Sequence, residues 1–196
     1  MARIGDRWFA WLLGKVSAHH DRLLEDRKRR LFEGLSGTVV EIGPGTGVNL
    51  PYYSQDVRWI GIEPNPFMHM KTAGGELRLG FAEKTGMPDT SVDAVVCTLV
   101  LCSVADPAQC LTEIRRILKP GGRFLFVEHV AAPRGSMLHR MQRLIKPLWG
   151  FAGGGCDPAR HTAEVLMRAG FSHVQMEEFR LPLSIVAPHI MGVAFR

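Results

Sequence analysis

The chain has 196 residues, 46% of them hydrophobic and 22% charged, with a net charge of +5; that length buries a real core in one domain. No segment reaches the roughly 20 apolar residues that cross a bilayer, and no signal peptide is expected from the N-terminal pattern. The four cysteines (Cys97, Cys102, Cys110, Cys156) follow no C-x-x-C pattern, so free thiols in a reducing compartment, and a soluble cytoplasmic protein, are expected.

Residues 1–30 carry eight Lys/Arg against four acids, which is +4 of the +5. Ile4, Trp8, Phe9, Trp11, Leu12, Leu13 and Val16 recur there at helical spacing on one side. Residues 1–36 are therefore expected to form a basic amphipathic extension, either a lid over the domain or, through residues 4–17, a peripheral contact with an anionic membrane. The Arg27–Arg30 run reads as a solvated helix face. Nucleic acid is excluded as a partner, because the basic residues lack interleaved aromatics and the remaining chain is almost neutral.

Residues 37–196 alternate strands and helices. Thr38–Ile42 reads as a strand, Gly47–Tyr53 as the start of a helix and Val57–Ile62 as a second strand. A short helix around Pro66–Ala73, a weaker strand at Leu77–Ala82 and a strong one at Val92–Thr98 follow. Asp106 reads as an N-cap with Pro107 at N1 and Gln109 at N3. Leu111, Ile114, Ile117 and Leu118 form that helix's buried face, and "KPGG" stops it. Arg123–Glu128 reads as a fifth strand, Ser136–Trp149 as a looser helix, and Pro158–Ala169 as a helix capped by Asp157. His173–Phe179 and His189–Phe195 close the chain as strands. The pattern predicts an α/β fold, a doubly wound and mostly parallel seven-stranded sheet. Ligands of such sheets bind at the carboxyl ends of the strands.

"VVEIGPGTGVN", residues 39–49, is a buried strand stopping at a glycine turn. A dinucleotide fingerprint would place a third glycine where Val48 stands, and no Gly-Lys-Ser/Thr follows for a P-loop. Glu41, two residues before Gly43, is a poor neighbour for a pyrophosphate and suits a ligand end carrying an ammonium. Glu63 ends the second strand 20 residues after Gly43, where a carboxylate accepts hydrogen bonds from ribose hydroxyls. A ligand with a ribose, a cationic amino-acid end and no phosphates is S-adenosylmethionine.

Here the sequence resembles the class I S-adenosylmethionine-dependent methyltransferases. "EIGPGTG" looks like their first motif, "GIEPN" like their ribose-binding acid, "FAEKTGMPDTSVDAVVC" like the adenine-side segment with the fourth strand, and "LKPGG" like the turn before the fifth. The resemblance implies a cofactor site of Glu41, Gly43, Gly45, Gly47, Glu63, Pro64, Ala82, Glu83 and Thr98, with S-adenosylhomocysteine as the product. "SVDAVVCTLVLCSV", "RRILKPGGRFLFVEHVA", "GGC" and "APHIMGVAF" are further similar to the thiol methyltransferases of the methyltransferase-like seven group and their bacterial relatives. That likeness implies a small thiol as acceptor. Animal members of the group carry a hydrophobic N-terminal anchor; this sequence offers only the Trp-rich stretch at residues 4–17.

The Asn/Asp-Pro-Pro-Tyr signature of nucleic-acid amino-methyltransferases is absent, and "CTLVLCSV" stands in its place. Candidate catalytic residues lie at the last strand ends and the cap: His129, Glu128, Cys156 and Arg160. Asp157, His161, His189, His19 and His20 are equally compatible with structural roles. No His, Cys or acid set shows ligand spacing along the chain, so no metal is expected. A lipid or quinone-precursor methyltransferase at a membrane surface, and a non-catalytic cofactor-binding module, are the alternative readings.

Overall fold

Val39, Val40 and Ile42, with Ala94, Val95, Val96 and Cys97 further along the chain, are near-continuous apolar runs, so their strands must be covered on both faces. In the computed structural model, which describes residues 4–68 and 75–196 with side chains from residue 18 onward, they sit at the centre of one sheet. In chain order the elements are α1 (Ile4–Phe32), β1 (Gly37–Ile42), β2 (Val57–Glu63), β3 (Glu76–Leu79), β4 (Val92–Thr98) and α2 (Pro107–Ile117). Then come β5 (Leu118–His129), α3 (Met137–Ala152), α4 (Thr162–Arg168), β6 (His173–Arg180) and β7 (Pro188–Phe195). The sheet has seven strands in the order β3-β2-β1-β4-β5-β7-β6. β7 runs antiparallel to both neighbours, and the strand order reverses between β1 and β4, which opens the ligand crevice there.

Alternation along the strands separates the two faces. Val95, Cys97, Phe124 and Phe126 meet Cys110, Leu111, Ile114 and Ile117 of α2 on one side. Val39, Ala94, Val96 and Leu125 meet Phe32 and Leu35 on the other, and Val127 and Met191 meet Leu24. Each such Leu, Ile or Phe contributes about 1.5–3 kcal/mol by leaving water. Asp106 caps α2 as expected, its side chain accepting from the Ala108 and Gln109 backbone N–H groups.

Of the Arg27–Arg30 run expected to be a solvated face, Arg29 and Arg30 are exposed, but Arg27 is half-buried and Lys28 is buried. Leu24, Lys28 and Phe32 lie one turn apart on the buried side. Lys28 is 2% exposed, and its Nζ reaches Asp21 Oδ1 at 2.7 Å. Burial lowers its pKa, with Asp21 opposing. Arg27 lies 4.3 Å over the Phe179 ring. The side chains of residues 4–17, on which the lid and membrane readings turned, lie outside the described residues, as do positions 69–73 of the expected helix at Pro66–Ala73.

Four expected boundaries are corrected. Beyond Gly47 there is no helix, only a single 3-10 turn at Leu50–Tyr52; the Tyr53 hydroxyl is held by Glu41, which leaves Tyr53 extended. The third strand ends at Leu79, and Ala82 lies in a tight turn closed by a Phe81–Lys84 bridge. β5 begins at Leu118, which pairs with Val92 before an irregularity passes over "KPGG". α4 starts at Thr162 with His161 at the N-cap position and no side-chain cap. Asp157 instead accepts from Ala159 N at 2.9 Å and pairs with Lys146 at 2.7 Å.

The turn carrying Ala82 and Glu83 is tied to α2 through Glu113. Its Oε1 accepts from Thr85 N at 2.8 Å and Thr85 Oγ1 at 2.6 Å, while Arg116 Nε donates to Oε2 at 2.7 Å. Arg116, then the Thr85 donors, hold the Glu113 pKa down at about 2. A folded-state pKa below the unfolded one stabilises fully above about pH 4.5, and the gain is lost as pH falls toward 2. Glu113→Gln is expected to cost about 1 kcal/mol at neutral pH, a modest figure because Arg116 is partly solvated. It should also flatten the acid branch of the stability curve. Urea unfolding between pH 2 and 7 measures both, and coincident curves for variant and wild type would remove Glu113 from this role.

Candidate active site

Four parallel strands deliver their last residues to one edge of the sheet. β1 ends in the glycine turn, where Gly43, Gly45 and Gly47 have φ of 61°, 56° and 78°. Those angles strain any residue with a Cβ, so the glycine spacing follows from the turn itself. The turn is held by Gly43 N to Ile62 O at 2.9 Å and Gly47 N to Pro44 O at 2.9 Å.

β2 ends in Glu63, which is 6% exposed. Its Oε2 accepts from Gly45 N at 3.1 Å and its Oε1 from Asn65 N at 3.0 Å. Burial raises its pKa, opposed by those two N–H groups. One acid thus fixes the glycine turn while each oxygen keeps acceptor capacity toward the crevice. Pro64 follows, exposed. Ala82 is 7% exposed, and Glu83 accepts from Asp106 N at 3.1 Å, which joins the Phe81–Lys84 turn to the start of α2.

Glu41 departs from the expectation of an open carboxylate. It is fully buried. Its Oε1 accepts from Asn49 Nδ2 at 2.7 Å, and its Oε2 from Trp59 Nε1 at 2.7 Å and Tyr53 Oη at 3.0 Å. Burial raises its pKa against the pull of those three donors. It therefore acts beneath the loop, as the anchor of the loop's far end, and presents no free oxygen to an ammonium. Asn49 also donates to Thr98 Oγ1 at 2.6 Å, linking the loop to the end of β4. Asn49, Tyr53 and Trp59 were missed in the sequence. The available signal was the apolar β2 run containing a Trp whose N–H needs a buried acceptor.

Past Thr98 the chain turns sharply through Leu99, whose φ is 59°, a strained conformation for a residue with a Cβ. Glu128 holds this turn: its Oε1 accepts from Val100 N and Leu101 N, each at 3.0 Å. Glu128 is fully buried, and burial raises its pKa to about 7. Arg160 clamps the other side, its Nη1 donating to Leu101 O at 2.9 Å and Val104 O at 2.6 Å. These bonds make both residues supports of the turn, and Glu128 Oε2 is left buried without a hydrogen-bond partner. The same turn touches the glycine loop, since a Cβ on Gly43 would lie 2.7 Å from Val100 Cγ2.

Cys102 follows in this turn, and its backbone O accepts from Asp157 N at 2.9 Å. That bond draws in the loop after α3. His129 Nε2 consequently lies 3.0 Å from Cys156 Sγ. The Cys102 Sγ, His129 Nε2 and Cys156 Sγ atoms all lie within 4.8 Å of one another. Cys102 alongside and burial push the Cys156 thiol pKa up. The expectation of no metal set is thus revised: spacing along the chain gave no hint of a group assembled from three separate loops. Behind it, His189 pairs with His129 across β5 and β7. His189 Nδ1 donates to Ala187 O at 3.0 Å, so its Nε2 accepts from His20 Nε2–H at 3.1 Å. Burial holds His20 down at about 3 and His189 at about 4, both neutral. His161 faces His139 and Glu164, away from this group.

A sheet that reverses at β1/β4, with a glycine turn closing β1, an acid closing β2 and an antiparallel β7 inserted between β5 and β6, is the architecture expected of the class I methyltransferases. Residues 40–126 match the family model described as a methyltransferase domain. The chain is 38% identical to human thiol S-methyltransferase TMT1B over 210 aligned positions, which cover 96% of this chain and 86% of that protein. It is 35% identical to human thiol S-methyltransferase TMT1A, covering 97% and 86%. A methyltransferase from Haloferax volcanii, solved in complex with its activator Trm112, superposes with a TM-score of 0.72 at 21% identity over 100% of this chain and 98% of that one, a likeness of fold. The chain belongs to the S-adenosylmethionine-dependent methyltransferases, in the family that contains these two human enzymes.

The residues fit that cofactor. Three left-handed glycines leave the turn without side chains, Glu63 keeps acceptor capacity for ribose hydroxyls, and Asn49 Oδ1 is buried without a hydrogen-bond partner. Calorimetry tests the assignment. Glu63→Ala is expected to weaken S-adenosylmethionine binding by about 1–3 kcal/mol. Gly45→Val should abolish binding with an unchanged far-ultraviolet circular dichroism spectrum. Wild-type affinity in either variant would displace the cofactor from this crevice.

Proposed function

We propose that the enzyme transfers a methyl group to the sulfur of a small, rather apolar thiol, giving a thioether and S-adenosylhomocysteine. The observation that carries this reading is the group Cys102, His129 and Cys156 at the far side of the turn that touches the glycine loop. The thiol activity of the human relatives, similar over nearly the whole chain, supports it. When bound, S-adenosylmethionine supplies an electrophilic methyl group that is displaced in line. The chain's own residues position the partners. The glycine loop and Glu63 hold one end, and the Val100–Cys102 turn sets the distance to the acceptor. Placement of this kind carries much of the rate of a displacement. A thiol reacts as its thiolate, so polarizable sulfur and imidazole groups suit the acceptor end better than a triad of hard bases.

The test is methyl transfer from labelled S-adenosylmethionine to simple alkyl thiols and hydrogen sulfide, with lipid and quinol acceptors in parallel. Turnover on thiols alone is the expected result. Turnover confined to lipid or quinol would discard the thiol reading, and cofactor binding without any turnover would favour an interaction module.

We further propose a cytoplasmic enzyme that docks peripherally on an anionic membrane, through α3. Met137, Met141, Leu144, Leu148 and Phe151 recur on one side of this helix, and they are between 44% (Met141) and 89% (Phe151) exposed. Arg140 and Arg143 are exposed beside the stripe. An apolar face with a basic flank is the pattern of a helix lying in a membrane interface. Among the described residues no helix is long and apolar enough to cross a membrane, so this contact would be peripheral. Free Cys97, Cys102, Cys110 and Cys156 agree with a reducing compartment. Leu144→Glu with Leu148→Glu is expected to abolish co-sedimentation with phosphatidylglycerol vesicles and leave turnover on a water-soluble thiol intact. Undiminished sedimentation of the double variant would move the contact elsewhere.

A further inference from the structure

We propose that Cys102, His129 and Cys156 bind a divalent cation of the zinc type, and that its open coordination position receives the acceptor sulfur. The proposal deepens the thiol reading and rests on it. Two thiolates and one imidazole are a soft-to-borderline donor set, and three protein ligands with a vacant fourth position are the arrangement of catalytic rather than structural zinc. With two thiolates the bound dication is neutralised, which removes the cost of placing an unpaired charge among buried groups.

The geometry is close to what such an ion needs. The three donor atoms lie within 4.8 Å of one another, and His129 Nε2 and Cys156 Sγ are 3.0 Å apart. Tetrahedral zinc, with bonds of about 2.0–2.3 Å, spaces its donors by roughly 3.5–3.8 Å. The widest gap must therefore close by at most about 1 Å, and the His129–Cys156 pair must open by about 0.5 Å. Without an ion, the neighbours of Cys102 Sγ are the Cys156 thiol, Leu99 O at 3.6 Å and Ser103 Oγ at 3.5 Å, all weak hydrogen-bond partners.

The surroundings already fix the three donors. Glu128 and Arg160 clamp the turn of Cys102 from two sides. Asp157 N to Cys102 O joins that turn to the loop of Cys156, and Ala131 N to Arg160 O at 2.9 Å joins it to the end of β5. This stitching gives Glu128 and Arg160 a purpose that acceptor chemistry alone did not. Supports that hold donors in place are what a metal or catalytic set requires. Cys102 and His129 are buried and Cys156 is half-buried, so the group opens on one side, where an acceptor can enter.

On coordination the acceptor R–SH releases its proton to the solvent and its sulfur remains as a thiolate. Its lone pair then forms the new S–CH3 bond while the donor's S–CH3 bond breaks, and that electron pair stays on the departing sulfur. No oxidant or reductant is needed. A free thiol is only a few per cent thiolate near neutral pH, so the ion is expected to raise turnover about tenfold or more.

Cobalt(II) serves as the probe. Titrated into the reduced, metal-free full chain, it should bind once per chain, with a thiolate-to-cobalt charge-transfer band and the visible bands of a four-coordinate ion. Adding a small alkyl thiol should shift the visible bands. Cys102→Ser and Cys156→Ser should each lose about half of the charge-transfer intensity, and the double variant all of it, while calorimetric affinity for S-adenosylmethionine, which reports folding, stays at the wild-type value. Absence of the band in the wild-type chain, or its survival in the double variant, would overturn the proposal. So would a native Cys102–Cys156 disulfide in protein purified without reductant that binds no cobalt after reduction. Zinc-free protein that methylates thiols at the full rate would overturn the metal site and leave the thiol reading standing. A cobalt site of the expected spectrum in a chain that methylates no thiol, with or without zinc, would do the reverse.

Discussion

Burial of the Glu41 carboxylate constrains everything at the cofactor end. A carboxylate with no contact to water must find donors within the protein or give up its charge. Three side chains answer: Asn49 from beyond the glycine loop, Tyr53 from the 3-10 turn and Trp59 from the neighbouring strand. Each donor fixes a piece of backbone. Asn49 sets where the loop ends, and Tyr53 turns the chain outward where a helix would otherwise have continued. Trp59 demands room, which Gly61 and Gly75 provide; a Cβ at either would lie about 2.5 Å or less from the indole ring. The glycine turn is therefore suspended between two acids, Glu41 below its far end and Glu63 across its middle.

The acceptor end follows the same logic with different atoms. Glu128 closes β5 as Glu63 closes β2, and both carboxylates hold backbone N–H groups of a sharp turn. In each case the acid lies at the carboxyl end of a buried parallel strand, where the backbone must change direction without water to satisfy it. Arg160 supplies the opposite service, covering two carbonyl oxygens that the turn through Leu99 leaves unpaired. A strained turn held by a buried acid on one side and a guanidinium on the other has little freedom. Cys102 is carried on it.

Much of this was legible in the sequence, and for identifiable reasons. β4 was expected at Val92–Thr98 and lies there, because an unbroken apolar run admits few other interpretations. The Asp106–Pro107 start of α2 is local chemistry, readable from adjacent residues. The glycine turn and Glu63 lie one strand apart, close enough for spacing to indicate a shared ligand. Reading failed where a side chain's role depends on a distant partner. Lys28 sits in a run of cations, and only the folded chain shows it buried on Asp21. Asp157 before Pro158 has the local form of an N-cap, yet its backbone N–H is held by Cys102 and its carboxylate by Lys146. The Cys102, His129 and Cys156 group combines a turn, a strand end and a glycine-rich loop, and no periodicity connects them.

The two ends of the crevice differ in hardness, and that difference bears on which acceptor can react. The cofactor side offers the Glu63 carboxylate and the backbone amides of the glycine turn, which suit hydroxyls. Beyond the Val100 contact the donors become sulfur and imidazole, with a row of neutral histidines, His20 and His189, behind His129. An alcohol or amine acceptor would need a base free to take its proton; His189 is committed to Ala187 and His20, while Glu128 holds two backbone N–H groups through Oε1 and keeps a buried Oε2 without a hydrogen-bond partner. A thiol needs less help, because its proton is already partly lost near neutral pH and its sulfur is a strong nucleophile once charged. Sulfur is therefore the acceptor atom that asks least of the groups around His129.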